Sequence, residues 1–317
     1  MMQSDGSMTN QRGIALIVVI LMISIIVALT IQLNRDMRSE VYEAANLSDQ
    51  AQLRYVAESV LYAGEAVLLN DRNQYDALTE DWANTEMFSL RAAEFFDKAS
   101  FKLTIEDIGG RIPINLLVSG NAYNVPIREM LLRLLTGSYF RLEEGAAEEV
   151  TDAIKDWIDA DSETTDRGVE SRVKNAPLDC IEELMMIKGV SRELFYGSER
   201  FYGLVNCLTV FGDGKININT APKPVLLALS AQMTSEAVEA LDRYRHDPKN
   251  SVANPGWYSG VPEASGANIP AGSITVKSDN FQIKAMGVQG RMTKQIIAIV
   301  NRDAGRTKVA ALAWRVE

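Results

Sequence analysis

Seven carboxylates crowd one short stretch of this chain: Asp152, Asp156, Asp159, Asp161, Glu163, Asp166 and Glu170. Like charges this close repel one another unless a cation sits among them, and ligands that are all oxygen select a hard ion such as calcium. Asp159, Asp161, Glu163 and Glu170 fall at the first, third, fifth and twelfth places of an EF-hand loop. The match then breaks, because Thr164 stands where the sharp-turn glycine belongs and Asp166 where an apolar residue is expected. Two readings remain. One is a calcium site on Asp156, Asp159 and Asp161, with Glu163 and Glu170 as further ligands; the other is a solvated acidic helix end.

Little else in the chain has the makings of chemistry. One histidine, His246, and two cysteines, Cys180 and Cys207, leave zinc sites and histidine-dependent catalysis without their usual parts. His246 adjoins Asp247 and Pro248 with no nucleophile motif around it, so no catalytic site and no enzyme is expected. The formal net charge of -10 argues against nucleic acid, whose binding rests on Lys and Arg neutralising phosphates. Within residues 184–194, the run Ile187-Lys188-Gly189-Val190 resembles half of a helix-hairpin-helix. Ser191 replaces the second glycine and Glu182, Glu183 and Glu193 flank it, which favours a structural turn over a phosphate contact. Cys180 and Cys207 would meet an oxidising compartment if the chain is exported; the sequence leaves their pairing open.

The elements that must position the acidic stretch are helical. Apolar periodicity predicts helices at 127–135, 146–158 and 178–187, and the carboxylates follow the second of these. This helical block, 125–204, lies between strand signals and reads as an insertion. Residues 101–114 read as strand, a Gly109-Gly110 turn, then strand. Gly110-Arg111-Ile112-Pro113-Ile114-Asn115 echoes Gly214-Lys215-Ile216-Asn217-Ile218-Asn219, a similarity that would suit neighbouring strands of one sheet. Thr220 is a hydroxyl cap candidate for an apolar helix at 225–229. Residues 247–272 are rich in Pro, Gly, Asn and Ser and form a long surface loop, pinned to its own domain by Trp257 and Tyr258. Residues 273–301 alternate as an antiparallel meander with Ile274, Val276, Phe281 and Ile283 inward, so the fold class is α+β.

At the other end, no charged side chain occurs from Gly13 through Asn34, and Arg12 and Arg35 bracket the stretch. That suits a bilayer core of roughly 30 Å, so residues 14–31 are expected to sit in membrane lipid. No A-x-A-like cleavage site follows, which argues against a secretory signal. No proline precedes Pro113 and no glycine lies between Gly13 and Gly64, so the helix continues to about residue 70, roughly 85 Å in all. Leu53, Val56, Val60, Ala63 and Val67 recur at spacings of three and four and form the face expected to pack on a globular domain.

Arg12, Gly13 and an apolar run opening at Ile14 look like the type III signal of pilins and pseudopilins, cut after the glycine by a prepilin peptidase. From residue 13 to about 299 the chain resembles the type II secretion system protein K family. The motifs are Asp156-Trp157-Ile158-Asp159-Ala160-Asp161, then Asn175-Ala176-Pro177-Leu178 with Glu182-Glu183-Leu184 and Ile187-Lys188-Gly189-Val190. The third runs Gly212-Asp213-Gly214-Lys215-Ile216-Asn217-Ile218-Asn219-Thr220-Ala221-Pro222.

The resemblance implies a pilin-like fold interrupted by an inserted all-helical domain. The parts are a leader at 1–13, a stem at 14–70, a pilin-like body at 71–123 and 207–317, and the insertion at 124–206. It implies a minor pseudopilin of the inner membrane, single-pass, with the C-terminal domain in the periplasm and a methylated N-terminus. Such a subunit caps the pseudopilus with minor pseudopilins I and J, contacts the major pseudopilin, and supports export of folded proteins across the outer membrane. It also implies calcium, carried onto the aspartates around Trp157. Major pseudopilins hold a glutamate at the fifth mature position, where this chain has Val18. A carboxylate in lipid is costly without a partner amine, so an apolar residue fits a subunit with none above it, although a lipid-facing valine also fits an ordinary anchor. The alternative is a minor pilin of a type IV pilus or DNA-uptake system.

Overall fold

The computed structural model describes residues 11–85, 100–159, 174–198 and 202–317. Helix α1, Gln11–Asn70, is continuous, as the absence of breakers dictates. The chain divides into two compact units, Met1–Tyr55 and Val56–Glu317. In the first, the described side chains of 13–48 are all exposed.

In the second unit, Val56, Ala57, Val60, Leu61, Gly64 and Leu68 are buried. This face differs from the expected one: Ala63 is exposed and Val67 half-buried, and Leu61, Gly64 and Leu68 take their place. The reason is close approach to a sheet. A Cβ on Gly64 would stand 3.0 Å from Ile283 Cγ2 and 3.1 Å from Leu103 Cδ1, so only glycine lets the backbone come this near.

That sheet has four antiparallel strands in the order β1 (Ser100–Asp107), β8 (Asn280–Gln289), β9 (Met292–Arg302), β10 (Val309–Val316). Register pairs Ile105 with Ile283 and Ile283 with Ala298, which puts Leu103, Ile105, Phe281, Ile283, Ile296, Ala298 and Val300 on one buried face. β8 and β9 turn at Gly290, whose φ of 60° suits glycine.

Four short strands lie in ladders of their own: β2 (Ile112–Pro113) pairs with β5 (Leu208–Thr209), and β6 (Ile216–Asn217) with β7 (Ile274–Thr275), both parallel. The two echoing phrases are therefore not neighbouring strands. The second phrase instead meets the residue just before the first, the Asn217 amide donating to the Gly109 carbonyl at 2.9 Å. β3 (Val118–Ser119) and β4 (Ala122–Tyr123) form a small hairpin before the helical block.

Helices α2 (Val125–Thr136) and α3 (Glu144–Ile158) match the periodicity closely, α3 burying Ala147, Val150, Thr151, Ile154 and Ile158. The third expected helix is a 3-10 turn, Ile181–Met186, followed by α4 (Arg192–Tyr196) and α5 (Leu204–Cys207). One apolar cluster joins Leu131, Leu135, Ile154, Leu184 and Phe195 of the block to Val225, Leu226, Val238 and Leu241. Those four lie on α6 (Lys223–Ala228) and α7 (Ser235–His246), so the helical core extends past residue 207. Thr220 does not cap α6, whose N-cap is Pro222; its hydroxyl donates instead to Asp107 Oδ2 at 2.6 Å. The 247–272 loop is built on two 3-10 turns and pinned as expected, with Trp257 buried, stacked on Tyr244 at 5.0 Å and donating to Asn219 Oδ1 at 2.8 Å.

Candidate functional site

Three features carry chemistry: the apolar half of α1, the acidic end of α3, and a buried ion network. In α1 the side chains of Ile14, Leu16, Ile17, Val18 and the apolar residues that follow are exposed, Val18 by 43% and Ile14 by 62%. By length and composition, Gly13–Asn70 is the one helix among the described residues able to cross a membrane. The two hydroxyls of residues 14–31 bond within the helix, Ser24 Oγ donating to Ile20 O at 2.8 Å and Thr30 Oγ1 to Ile26 O at 2.7 Å. Neither is left to be satisfied by lipid.

At the C-terminal end of α3 the chain leaves the described residues at Asp159 and re-enters at Lys174. Its two sides are tied, since the Ala176 amide donates to Trp157 O at 3.4 Å and Trp157 Nε1 to Glu183 Oε2 at 3.4 Å. Lys174 Nζ bridges Asp179 at 2.7 Å and Glu183 at 3.0 Å. The Asp159 side chain is 1% exposed and ion-pairs through Oδ2 with Lys155. Its Oδ1 is buried without a hydrogen-bond partner among the described residues. A helix C-terminus, where the dipole is negative, is an unfavourable place for such a carboxylate. Asp156 is half-buried one turn earlier, and Asp152 accepts from the Tyr123 hydroxyl. Asp161, Glu163 and Glu170 lie outside the described residues.

Sequence reasoning missed the third feature. Asp71, Asp76 and Glu80 bring carboxylate oxygens within 4.8 Å of one another, but guanidinium groups already neutralise the aspartates. Arg302, 1% exposed, reaches Asp71 at 2.8 Å and also pairs with Asp76; Arg306 reaches Asp71 at 2.8 Å and Asp76 at 3.1 Å. Beside them Asp107 Oδ2 accepts from Asn217 at 2.9 Å, Thr220 at 2.6 Å and Ser278 at 2.6 Å, and Oδ1 accepts from the Gly109 amide at 2.7 Å. Burial nevertheless pushes the Asp107 carboxyl above its ordinary value. The network fastens the residues after α1 to the ends of β1 and β9 and to the Gly214–Asn219 phrase. Partners more than 200 residues apart leave no local signal in the sequence.

The remaining candidates are structural. Gly189, at φ +88°, makes the turn before α4, and Ser191 Oγ accepts from the Leu194 amide at 3.1 Å as a helix cap. Cys180 is exposed and Cys207 buried, and both are free thiols, so the disulfide does not form here. His246 is exposed, its Nδ1 2.7 Å from Asp242 O.

Three comparisons bear on identity. The family model described as type II secretion system (T2SS), protein K, matches residues 110–201. A type II secretion system protein K from Pectobacterium carotovorum subsp. carotovorum is 26% identical over 303 residues, covering 87% of this chain and 88% of that protein. A chain of the crystallised GspK-GspI-GspJ complex from the type 2 secretion system of enterotoxigenic Escherichia coli shares the fold. The TM-score is 0.55 at 16% identity, over 89% of this chain and 99% of that one. The family model and the curated relative carry the same description as the family that the motifs resemble, type II secretion system protein K, and the solved structure shares the fold.

Proposed function

We propose that this chain is the minor pseudopilin at the tip of a type II secretion pseudopilus, where it starts assembly and supports export of folded proteins across the outer membrane. The observation that carries the reading is α1 itself: one unbroken helix that exposes an uncharged, mostly apolar surface over residues 14–31 and whose end, from Val56 on, is built into an α+β body. A simple anchor has no need to continue as the core helix of the domain it tethers. On this reading the protein sits in the inner membrane with its C-terminal domain in the periplasm. Its parts are a leader at 1–13, the stem at 14–70, a pilin-like body at 71–123 and 207–317, and an inserted helical domain at 124–206.

A prepilin peptidase cuts between Gly13 and Ile14, and the new N-terminus is methylated. Nothing lies within 4 Å of the Cβ that Gly13 lacks, so packing gives no reason for a glycine that costs about 1 kcal/mol in a helix relative to alanine. Its partners are I-like and J-like minor pseudopilins and the major pseudopilin. The solved structure that shares this fold is a GspK-GspI-GspJ complex, which supports the first two partners, and the tip position accounts for an apolar Val18. No reaction is catalysed; the work is binding and nucleation.

Calcium fits the part of the acidic site that is described, because the bare, buried Oδ1 of Asp159 is a hard donor short of a partner. Asp159 and Asp156 would hold the ion, with Asp161, Glu163 and Glu170 contributing from the segment that follows. Bound calcium would supply cross-linking charge between α3 and that segment.

Coexpression with a prepilin peptidase followed by N-terminal sequencing tests the processing. The expected first residue is Ile14, and a mature chain beginning elsewhere refutes the pseudopilin reading.

A further inference from the structure

We propose that Lys155 is the built-in counter-ion of the acidic site and sets how tightly a divalent cation binds there. The inference rests on the calcium reading above. Lys155 stands on α3 one turn before Asp159, and its ammonium pairs with Asp159 Oδ2 while the side chain keeps 19% exposure. The same ammonium lies 5.8 Å from the centre of the Tyr123 ring, so an aromatic face supports it from another side.

An aspartate with a side chain 1% exposed is costly as a bare anion, and without metal it is Lys155 that neutralises it. Only one oxygen is used. A divalent ion bound to Oδ1 shares its carboxylate with the ammonium, and the two cations repel at a distance where little water screens them. Occupancy of Oδ1 therefore favours an arrangement in which the ammonium swings away on its flexible four-carbon stem. A carboxylate to receive it stands one turn earlier on its own helix: Asp152, bonded to the Tyr123 hydroxyl. The lysine lets the helical block fold without metal and makes binding weaker, so the site releases calcium at higher calcium concentrations than an uncompensated cluster would.

The test is calorimetric titration of calcium chloride into the full chain in detergent, wild type against Lys155→Met, which keeps the stem and loses the charge, and Lys155→Arg, which keeps the charge. The expected result is that Lys155→Met binds calcium about tenfold tighter or more, the size of effect seen when groups around metal ligands are changed. Its melting temperature without calcium should fall, and Lys155→Arg should bind no tighter than wild type. Should Lys155→Met fail to fold, as judged by circular dichroism, Lys155→Gln offers the same loss of charge with a hydrogen bond retained. Unchanged or weaker binding in the neutral variants, with wild type still binding, overturns the role of Lys155 and leaves the calcium reading standing. A wild type that takes up no calcium overturns both.

Discussion

The close approach of α1 to the sheet at Gly64 yields a sharp prediction. Gly64→Ala places a Cβ 3.0 Å from Ile283 Cγ2, 3.4 Å from Ile283 Cδ1 and 3.1 Å from Leu103 Cδ1. Alanine in a helix interior gains about 1 kcal/mol over glycine, whereas overpacking a filled core costs about 1–3 kcal/mol. The single change should thus lie between neutral and about 2 kcal/mol destabilising. Ile283→Ala, at a position with no exposure, should cost about 2–5 kcal/mol by itself. It also removes two of the three atoms that the new methyl meets, so in the Ile283→Ala background Gly64→Ala should become stabilising. The coupling between the two sites is then about 1–3 kcal/mol. Urea unfolding of the four proteins, full chain in detergent, measures it. Strictly additive effects would refute the claim that Gly64 is glycine because the sheet presses on it.

Arg302→Leu strips Asp76 and Asp71 of a buried partner and should cost about 3–5 kcal/mol, read as a drop in urea midpoint. Trp257→Ala removes the stack on Tyr244 and the bond to Asn219, for a loss of about 3–5 kcal/mol by the same measurement. Burial holds the Asp107 carboxyl above its ordinary value, so the folded chain keeps this proton where the unfolded chain, titrating near pH 4, has released it. The contribution of Asp107 to stability therefore declines as pH rises from about 4 through the folded value, and Asp107→Asn should flatten that part of the urea-midpoint profile. A thiol reagent should label Cys180 in the native chain and reach Cys207, whose thiol burial pushes up to about 12, only after unfolding.

Helix α1 was legible because its signals are negative and cumulative: no charge from Gly13 through Asn34 and no breaker between Gly13 and Gly64. α2, α3 and the β8–β9 hairpin were legible because a single periodicity spans each. The buried face of α1 was misread at Ala63 because periodicity treats glycine as neutral, whereas packing chose Gly64 for its missing side chain. Thr220 looked like a cap from its neighbours in sequence, yet a buried carboxylate from β1 claims its hydroxyl. The Asp71–Asp76–Arg302–Arg306 network and the β10 pairing depend on residues brought together only by the closed sheet. For the acidic site, composition pointed to Asp159, but its partner Lys155 emerged only when α3 placed the two one turn apart.

Co-purification of the full chain, extracted in detergent, with coexpressed I-like and J-like minor pseudopilins tests the central claim most directly. A single species containing all three, surviving size exclusion at micromolar concentration, is the predicted result. Three proteins that elute separately under those conditions would contradict the tip assignment.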